Sequence, residues 1–467
     1  MKIKSLYVGL MAFAMLLVGA SCSDDNTPSY SKNTVQNTEL KNILIQKGYQ
    51  FNENGNLLLD DLANNTTTLD LSGTKLSVGA LAELTMFPNL KEVNLSNNGY
   101  GPAFDFSKLP QQITGVDLTK NEIYDYDNLF KLEIADNGNE TITNLHTLTK
   151  LYLPTTAKEN TLQLPRFYRQ NGSAVDMKME DASGSLQTYT TLREVPDEVL
   201  RNYLKSQFPD YFEGDKIDLD KRSVTGGATN NINFSYRMDN NVEGCTSLEG
   251  IQYIVEHPYW EGTTCQIEMN EVMDCPSLKI GSYVTLFQVE NLNVKEIDLT
   301  GATILSYIQI GNVSGFERID LSKSSIWGQR DIETEEDSGK GSSLIVYDCP
   351  SLKEILLPGT TGSLRVNEVD VEMLDALKTL DLTKFKMVRS LAIGDLPDSY
   401  NLQYPDLTEF NTFNGKTTFA CSEKANKLQS TIDFVQKYYK GVDAANRKLL
   451  VSRILMSKNN KAAFWYR

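Results

Sequence analysis

The chain has 467 residues, and its 45 lysines and arginines are outnumbered by 61 aspartates and glutamates, which gives a formal net charge of −16. A nucleic-acid-binding protein needs a basic surface opposite the phosphate backbone, so we expect no nucleic acid among the partners. The length suits one long repeat array or two to three compact domains.

Residues 1–21 are predicted to be a secretory signal peptide. Lys2 and Lys4 precede an apolar run from Leu6 to Val18, and small residues follow this run. The run is too short to span a bilayer comfortably. We therefore expect export of the chain and removal of this segment.

The residues after the apolar run, Gly19-Ala20-Ser21-Cys22, resemble the cleavage box of bacterial lipoproteins. The resemblance implies that Cys22 carries a lipid, although Gly19 stands where that family usually has leucine. Ser23-Asp24-Asp25 resembles the acidic tag that routes some Gram-negative lipoproteins to the outer face of the outer membrane. We therefore expect a lipid-anchored protein exposed at the cell surface, with residues 22–37 as a flexible tether. An ordinary signal peptide with an incidental cysteine is the alternative.

A helical cap is predicted at residues 38–65, where Thr38–Lys47 has the spacing of a short amphipathic helix. A first repeat array follows at residues 66–165, built on the unit L-x-x-L-x-L, with units that begin at positions 66, 90, 113, 129 and 148. Three units are closed by an asparagine that suits a buried ladder of side-chain amides: Asn98, Asn121 and Asn137.

These units carry a resemblance to the leucine-rich-repeat family, and a helix, a glycine-containing loop and repeats in that order are similar to internalin-like and BspA-like surface proteins. The resemblance implies a β-rich solenoid in which leucine-rich-repeat arrays lie between short helical caps. It also implies a scaffold for binding rather than for catalysis, because the fold serves many different partners.

In the middle of the chain, the succession of helix, glycine-containing loop and repeats begins a second time. Residues 166–195 are polar and are expected to be a linker or a small hairpin. Residues 196–263 are expected to be a second cap with an insertion, beginning with a helix at Pro196–Phe208. Because each array needs its open end covered, two caps imply two modules.

A second repeat array is predicted at residues 264–413, where apolar triplets recur every 11 residues. Eleven residues are too few for a full leucine-rich turn, so we expect two strands per turn of about 22 residues and no helix on the back. Examples of the triplets are Val294/Ile297/Leu299, Leu305/Ile308/Ile310 and Phe316/Ile319/Leu321.

The C-terminal residues 414–467 are expected to form a basic helical cap. Residues 423–467 hold ten lysines and arginines against three acids. Helical spacing of the apolar side chains of Leu428, Ile432, Val435 and Tyr439 predicts one helix, and Leu449–Leu455 suggests a second. The alternative is a docking segment for a partner or for an anionic membrane.

The sequence offers little support for catalysis or for a metal. His146 and His257 lie far apart and no nucleophile, metal or phosphate-binding motif accompanies them, so we expect no enzyme, no cofactor and no metal site. Five cysteines recur beside core positions and are expected to be small buried thiols rather than disulfides: Cys245, Cys265, Cys275, Cys349 and Cys421.

One column of acids needs separate consideration, since clustered oxygens attract calcium. Its members occupy the x of L-x-L, but aspartate is ordinary at that repeat position, so a structural role is favoured. They are Asp70, Asp117, Asp298, Asp320 and Asp381.

Four residues are candidate ligand contacts. Tyr259 and Trp260 form an aromatic pair beside His257, and Trp327 and Arg330 open an acidic insertion that interrupts the 11-residue spacing. Core packing of the aromatics is the alternative. Protein–protein or adhesive recognition is the first functional hypothesis, a surface glycan-binding accessory protein is the second, and a hydrolase with an unrecognised carboxylate pair across a cleft is the third.

Overall fold

The computed structural model describes residues 28–135, 140–222, 230–237, 241–329, 341–409, 418–438, 449–450 and 463–466. The expected signal peptide, Cys22, Asn137, Arg330 and Tyr439 lie outside these residues.

The described chain is a mixed α/β protein whose two largest sheets are built mainly from parallel strands. Its apolar side chains form two separate cores. One core extends from Val35 to Tyr189 and defines what we call the N-terminal unit. The other extends from Val195 to Phe434 and defines the C-terminal unit.

The N-terminal unit contains short helices and many short strands. Its helices are α1 (Thr38–Gln46), α2 (Asp61–Asn65) and α3 (Gln163–Asn171), with 3₁₀ segments at Val78–Met86, Phe106–Lys108 and Thr155–Glu159. Its strands are β1 (Tyr30–Thr34), β2 (Asn56–Leu58), β3 (Thr68–Asp70), β4 (Glu92–Asn94), β5 (Ala103–Asp105), β6 (Gly115–Asp117), β7 (Asp125–Asp127), β8 (Phe130–Ile134), β9 (Glu140–Asn144), β10 (Lys150–Leu153), β11 (Asp176–Glu180) and β12 (Leu186–Thr188).

The main sheet of this unit has the order β12-β11-β10-β6-β4-β3, and its strands from β3 to β11 are parallel. One buried apolar side chain from each strand lies in register with the next, so the sheet has a continuous inner row. The row consists of Leu69, Val93, Val116, Leu151 and Met177.

Buried asparagines satisfy the backbone where these strands end. The Asn121 amide nitrogen donates to the carbonyls of Leu95 (3.0 Å) and Leu118 (2.9 Å), and its oxygen accepts the backbone N–H groups of Asn98 (2.9 Å) and Tyr100 (3.1 Å). The Asn98 amide repeats the pattern one unit earlier. The expected amide ladder is therefore present at both of these positions.

Two expectations about the N-terminal unit are wrong. The unit that begins at Leu129 does not join the main sheet, because β8 pairs antiparallel with β9 and leaves Ile134 62% exposed. The tether does not extend to residue 37, since β1 pairs with β2 and Val35 is in the core.

Of the two alternatives for residues 166–195, a linker or a small hairpin, the hairpin is present, and it is part of the folded N-terminal unit. Phe167 of α3 is buried, and β11 continues the parallel sheet before β11 and β12 form an antiparallel hairpin. The stretch between the two cores is therefore short, from Tyr189 to Val195.

The C-terminal unit contains α4 (Glu198–Gln207), α5 (Gln252–Val255), α6 (Glu423–Asn426) and α7 (Gln429–Tyr438), with 3₁₀ segments at Pro209–Tyr211 and Leu382–Lys384. Its strands are β13 (Leu192–Glu194), β14 (Phe212–Glu213), β15 (Lys216–Asp218), β16 (Ile232–Ser235), β17 (Thr264–Cys275), β18 (Leu278–Lys279), β19 (Leu286–Val294), β20 (Ile297–Asp298), β21 (Tyr307–Ser314), β22 (Arg318–Asp320), β23 (Ser343–Tyr347), β24 (Glu354–Leu356), β25 (Leu364–Glu372), β26 (Thr379–Leu380), β27 (Phe385–Ile393), β28 (Thr418–Ser422), β29 (Leu449–Leu450) and β30 (Ala463–Tyr466).

Alternate strands of this unit belong to different sheets. A ten-stranded sheet has the order β16-β17-β19-β21-β23-β25-β27-β28-β30-β29 and is parallel from β16 to β28. The intervening short strands form separate parallel sheets, β18-β20 and β22-β24-β26. Register pairs such as Ile267 with Val289 and Val289 with Ile310 repeat along the ten-stranded sheet and fill the core.

The cysteines follow the same packing. All five from Cys245 to Cys421 are free thiols, and four of them are buried. Burial raises the pKa of Cys265 to about 12, so this thiol is an apolar packing group and not a nucleophile.

The C-terminal segment departs from the expected cap in two ways. The helix α7 buries Thr431 and Phe434. The predicted core residues Leu428 and Ile432 are 42% and 37% exposed, so the face that α7 turns towards the core is not the predicted one. The prediction of a second helix is wrong for its first two residues, because Leu449–Leu450 is the strand β29.

Among the described residues, none of the helices combines the length and the apolar composition needed to cross a membrane.

The amide ladder gives a testable prediction for stability. The substitution Asn121→Ala removes hydrogen bonds to five buried backbone groups, of which the Leu95 carbonyl keeps a bond from Asn98, and we expect it to lower the free energy of unfolding by about 2–4 kcal/mol. Urea denaturation followed by circular dichroism measures this change. Asn64→Ala is the matched control, because Asn64 is exposed and makes one hydrogen bond to a nearby carbonyl; equal losses for both variants would contradict the role of the ladder.

Candidate ligand-binding cleft

The two tryptophans that the sequence suggests as ligand contacts are core residues. Trp327 is 0% exposed and packs near Phe385, with ring centroids 6.2 Å apart. Trp260 is 6% exposed, and its indole N–H donates to the Asn230 carbonyl at 2.7 Å. Trp327 is therefore a packing residue of the core, whereas Trp260 packs in the core and also forms part of the wall of a cavity.

His257, beside this pair, is also structural. One ring nitrogen lies 3.1 Å from the Asp218 carbonyl, and the other accepts the backbone N–H of Tyr259 at 3.3 Å. Burial lowers the pKa of His257 to about 4, so the ring is neutral near pH 7. Both ring nitrogens of His257 are therefore engaged with backbone groups of the same unit.

Tyr259 lies between the two units. Its hydroxyl accepts from Arg169 and donates to the Glu140 carboxylate at 3.3 Å. Arg169 also binds Glu140 at 2.7 Å and Asp220 at 2.9 Å. Burial alone would raise the pKa of Glu140, but hydrogen bonds from Arg166 and Arg169 outweigh it and hold the pKa at about 2. Tyr259 therefore joins the units rather than presenting a free aromatic surface.

Further polar contacts cross the same junction. Lys158 binds Glu249 at 2.8 Å, and the Gln252 side chain donates to Glu159 at 3.1 Å. The Lys279 ammonium lies 3.2 Å from Asp125 and 5.3 Å from the centroid of the Tyr124 ring. The N-terminal and C-terminal units thus meet through charged and amide side chains.

The junction encloses a cleft, here called the junction cleft, made of two cavities of about 380 Å³ each. Both cavities are lined by Glu159 of the N-terminal unit and by Glu256 and Lys279 of the C-terminal unit. Tyr124 and Glu249 line one cavity, and Tyr283, which is 50% exposed, lines the other.

The acids shared by both cavities are electrostatically unusual. Burial raises the pKa of Glu256 to about 8, and the nearby charges of Glu159 and Asp125 add to this effect against the opposing influence of Lys279. The carboxylate of Glu256 accepts the backbone N–H of Lys279 at 3.1 Å. Burial also raises the pKa of Glu159. Perturbed acids in a cleft mark a candidate binding site.

The structure argues against the calcium column. Each of the five aspartates accepts the backbone N–H two residues further on, at 2.9–3.0 Å, and so closes a turn at the end of a strand. Within the described ranges, no group of three His, Cys, Asp or Glu residues is arranged to hold a metal ion.

A second concentration of acids lies on β25, away from the junction cleft. Asp370 and Glu372 are 7% and 3% exposed, and burial together with their mutual repulsion raises the pKa of Asp370. One oxygen of each carboxyl is buried without a hydrogen-bond partner. These acids line neither cavity of the junction cleft.

Sequence reasoning did not find the junction cleft, because its residues come from both units. One signal was available. The triplet Leu278-Lys279-Ile280 has lysine at the x position where Asp298, Asp320 and Asp381 follow the repeat pattern. This lysine is the side chain that contacts Asp125 of the N-terminal unit.

Comparison with known proteins adds no assignment: no family model, no curated protein and no solved structure matches the chain.

The Glu256 carboxyl predicts a pH dependence of stability. The pKa of Glu256 is raised from 4.5 to about 8 in the folded chain, so the folded state binds a proton that the unfolded state releases above pH 4.5. The contribution of this proton to the free energy of unfolding is fully present below pH 4.5 and is lost as the pH rises through 8. Glu256→Gln mimics the protonated form, and we expect it to match the wild type near pH 5 and to exceed it near pH 9 by about 2–3 kcal/mol. Urea denaturation at several pH values measures this difference. Glu133→Gln, at a fully exposed site, should keep the wild-type pH profile.

Proposed function

We propose that this chain is a leucine-rich-repeat solenoid anchored by a lipid on Cys22 at the outer surface of the outer membrane, where it recognises a partner protein through the junction cleft. The observation that carries the proposal is the cleft itself, formed where two strand-repeat units meet and lined by side chains from both. Ligand sites favour such boundaries between units.

The repeated packing supports the solenoid part of the proposal. Strands of the ten-stranded sheet pair with offsets of 22 residues between Thr264 and Leu286 and of 21 residues between Leu286 and Tyr307. Each repeat therefore packs against its neighbours, which is the arrangement of solenoid proteins. The amides of Asn98 and Asn121 match the asparagine ladder that the repeat unit predicts.

The anchor is supported by the sequence alone. Residues 1–21 have the composition of a secretory signal, and Cys22 is preceded by small residues as in a lipoprotein cleavage box. An anchor followed by a recognition unit suits adhesion to another protein at the cell surface.

A surface glycan-binding role is the second candidate. Tyr283 is 50% exposed at the cleft, and Tyr124 lines the adjoining cavity, so aromatic faces lie close to carboxylates that accept hydrogen bonds from hydroxyl groups. A hydrolase is the remaining alternative, and it would use Glu159 and Glu256 as its acids.

The lipid anchor is testable in cells of a Gram-negative host that express the full chain. Metabolic labelling with a radioactive fatty acid should place label on the wild type, and Cys22→Ser should abolish it, because the acyl group is attached through that cysteine. Cys245→Ser is the matched control and should retain the label. Label on Cys22→Ser would contradict the anchor.

Recognition through the cleft is testable by blocking it. Gly281 is exposed and lines the cavity that contains Tyr283, and a Cβ atom added there has no other atom within 4 Å, so we expect Gly281→Trp to be tolerated and to obstruct that cavity. We expect the immobilised chain, without its lipid, to select ligands from a displayed random-peptide library, and Gly281→Trp to weaken their binding at least tenfold (about 1.4 kcal/mol).

Gly79→Trp is the matched control, because Gly79 is exposed and equally unobstructed but lies in the N-terminal unit outside the cleft lining. Glycan-array ligands blocked by Gly281→Trp, with no peptide selected, would favour the second candidate, and hydrolysis of such a glycan the third. Ligands that are all insensitive to Gly281→Trp would contradict the cleft as the binding site.

A further inference from the structure

We propose that the junction cleft receives a cationic side chain, arginine or lysine, of the partner polypeptide, and that Glu159 and Glu256 neutralise its charge. This inference rests on the proposed function and names the chemistry of the partner at the same site.

The charge of the cavity lining favours a cation. Five carboxyl-bearing residues line the cavity that contains Tyr124, against two lysines. One of these lysines, Lys279, is already bound by Asp125 at 3.2 Å, and Asp125 belongs to the adjoining cavity. Lys158, outside the lining, binds Glu249 at 2.8 Å and lies 3.6 Å from Glu159. With Asp125 and Lys158 included, six acids therefore face three lysines, and this excess is complementary to a positively charged partner group.

The geometry favours an organic cation over a metal ion. In the part of the chain that the structure describes, no three carboxylate, histidine or cysteine side chains converge as metal ligands require. An arginine or lysine side chain needs fewer converging oxygens and brings an apolar stem, for which Pro276 and the Tyr124 ring provide contact surface in the same cavity. Tyr124 already lies beside one ammonium group, that of Lys279, at 5.3 Å from its ring centroid.

Binding of such a cation has a consequence for protons. The Glu256 carboxyl, buried among Glu159, Asp125 and Lys279, is mostly protonated below its pKa of about 8. When a cation binds beside it, the Glu256 O–H bond breaks, the proton goes to solvent and the carboxylate pairs with the ligand. Because the bound state holds fewer protons, affinity must rise with pH, by up to about tenfold per pH unit below pH 8.

The test uses the full chain without its lipid and four blocked tetrapeptides as probes: tetra-arginine, tetra-lysine, tetra-glutamine and tetra-glutamate. Isothermal titration calorimetry is carried out at about 0.15 M salt, to screen diffuse attraction to the acidic surface, and at about pH 6, 7 and 8. We expect binding of one or both cationic probes and of neither other probe. The affinity should rise at least tenfold between about pH 6 and about pH 8, with release of a proton.

The variant Glu256→Gln separates this site from general surface attraction. Glutamine keeps the shape of the protonated side chain but cannot ionise, so we expect loss of the pH dependence and at least tenfold weaker binding near pH 8. Glu133→Gln removes the same charge at a fully exposed position and should leave both properties unchanged.

Two outcomes would overturn the inference: no cationic probe binds, or both variants weaken binding equally at every pH. A different result would contradict the proposed function, namely that Gly281→Trp weakens the binding of none of the ligands. A neutral peptide that binds the cleft and is blocked by Gly281→Trp would therefore remove the cationic partner and leave the recognition role standing.

Discussion

The strands of the large parallel sheets bury their apolar side chains because each strand pairs in register with the next. Side chains alternate between the two faces of a strand, so a shift by one residue would move the row through Ile267, Val289 and Ile310 from the core to the surface. Backbone groups that are buried at the turns also need hydrogen-bond partners. Buried side-chain amides such as that of Asn121 take the place of water as these partners.

The junction of the two units follows a different rule. Inside each unit the contacts are apolar and in register, whereas the units meet through pairs such as Lys158 with Glu249 and Arg169 with Asp220. Partly exposed ion pairs of this kind contribute little to stability, but they fix orientation. The junction cleft lies at this polar junction and is lined by side chains from both units.

The roles of the aromatic and acidic residues depend on how deeply each side chain is buried, and residue type alone does not predict them. Trp260 and Trp327 fill the cores, and the exposed aromatic side chain of the cleft is that of Tyr283. The acids behave similarly: Asp298 and Asp320 close turns, whereas Glu256, on no repeat position, is the group whose pKa rises to about 8. Because all of these side chains are carboxylic acids, their different roles follow from the groups that surround each of them.

Local periodicity by itself determined the repeat positions, the first helix of each unit, the two buried asparagines and the core cysteines, because each depends on residues close in the chain. It misassigned the unit that begins at Leu129, which forms a hairpin, and the buried face of the C-terminal helix, where Leu428 and Ile432 are exposed. Only the tertiary structure decided which residues meet at the junction. Glu159 and Glu256 are far apart in sequence, and no local pattern records that two units pack there and remove water from their carboxyl groups.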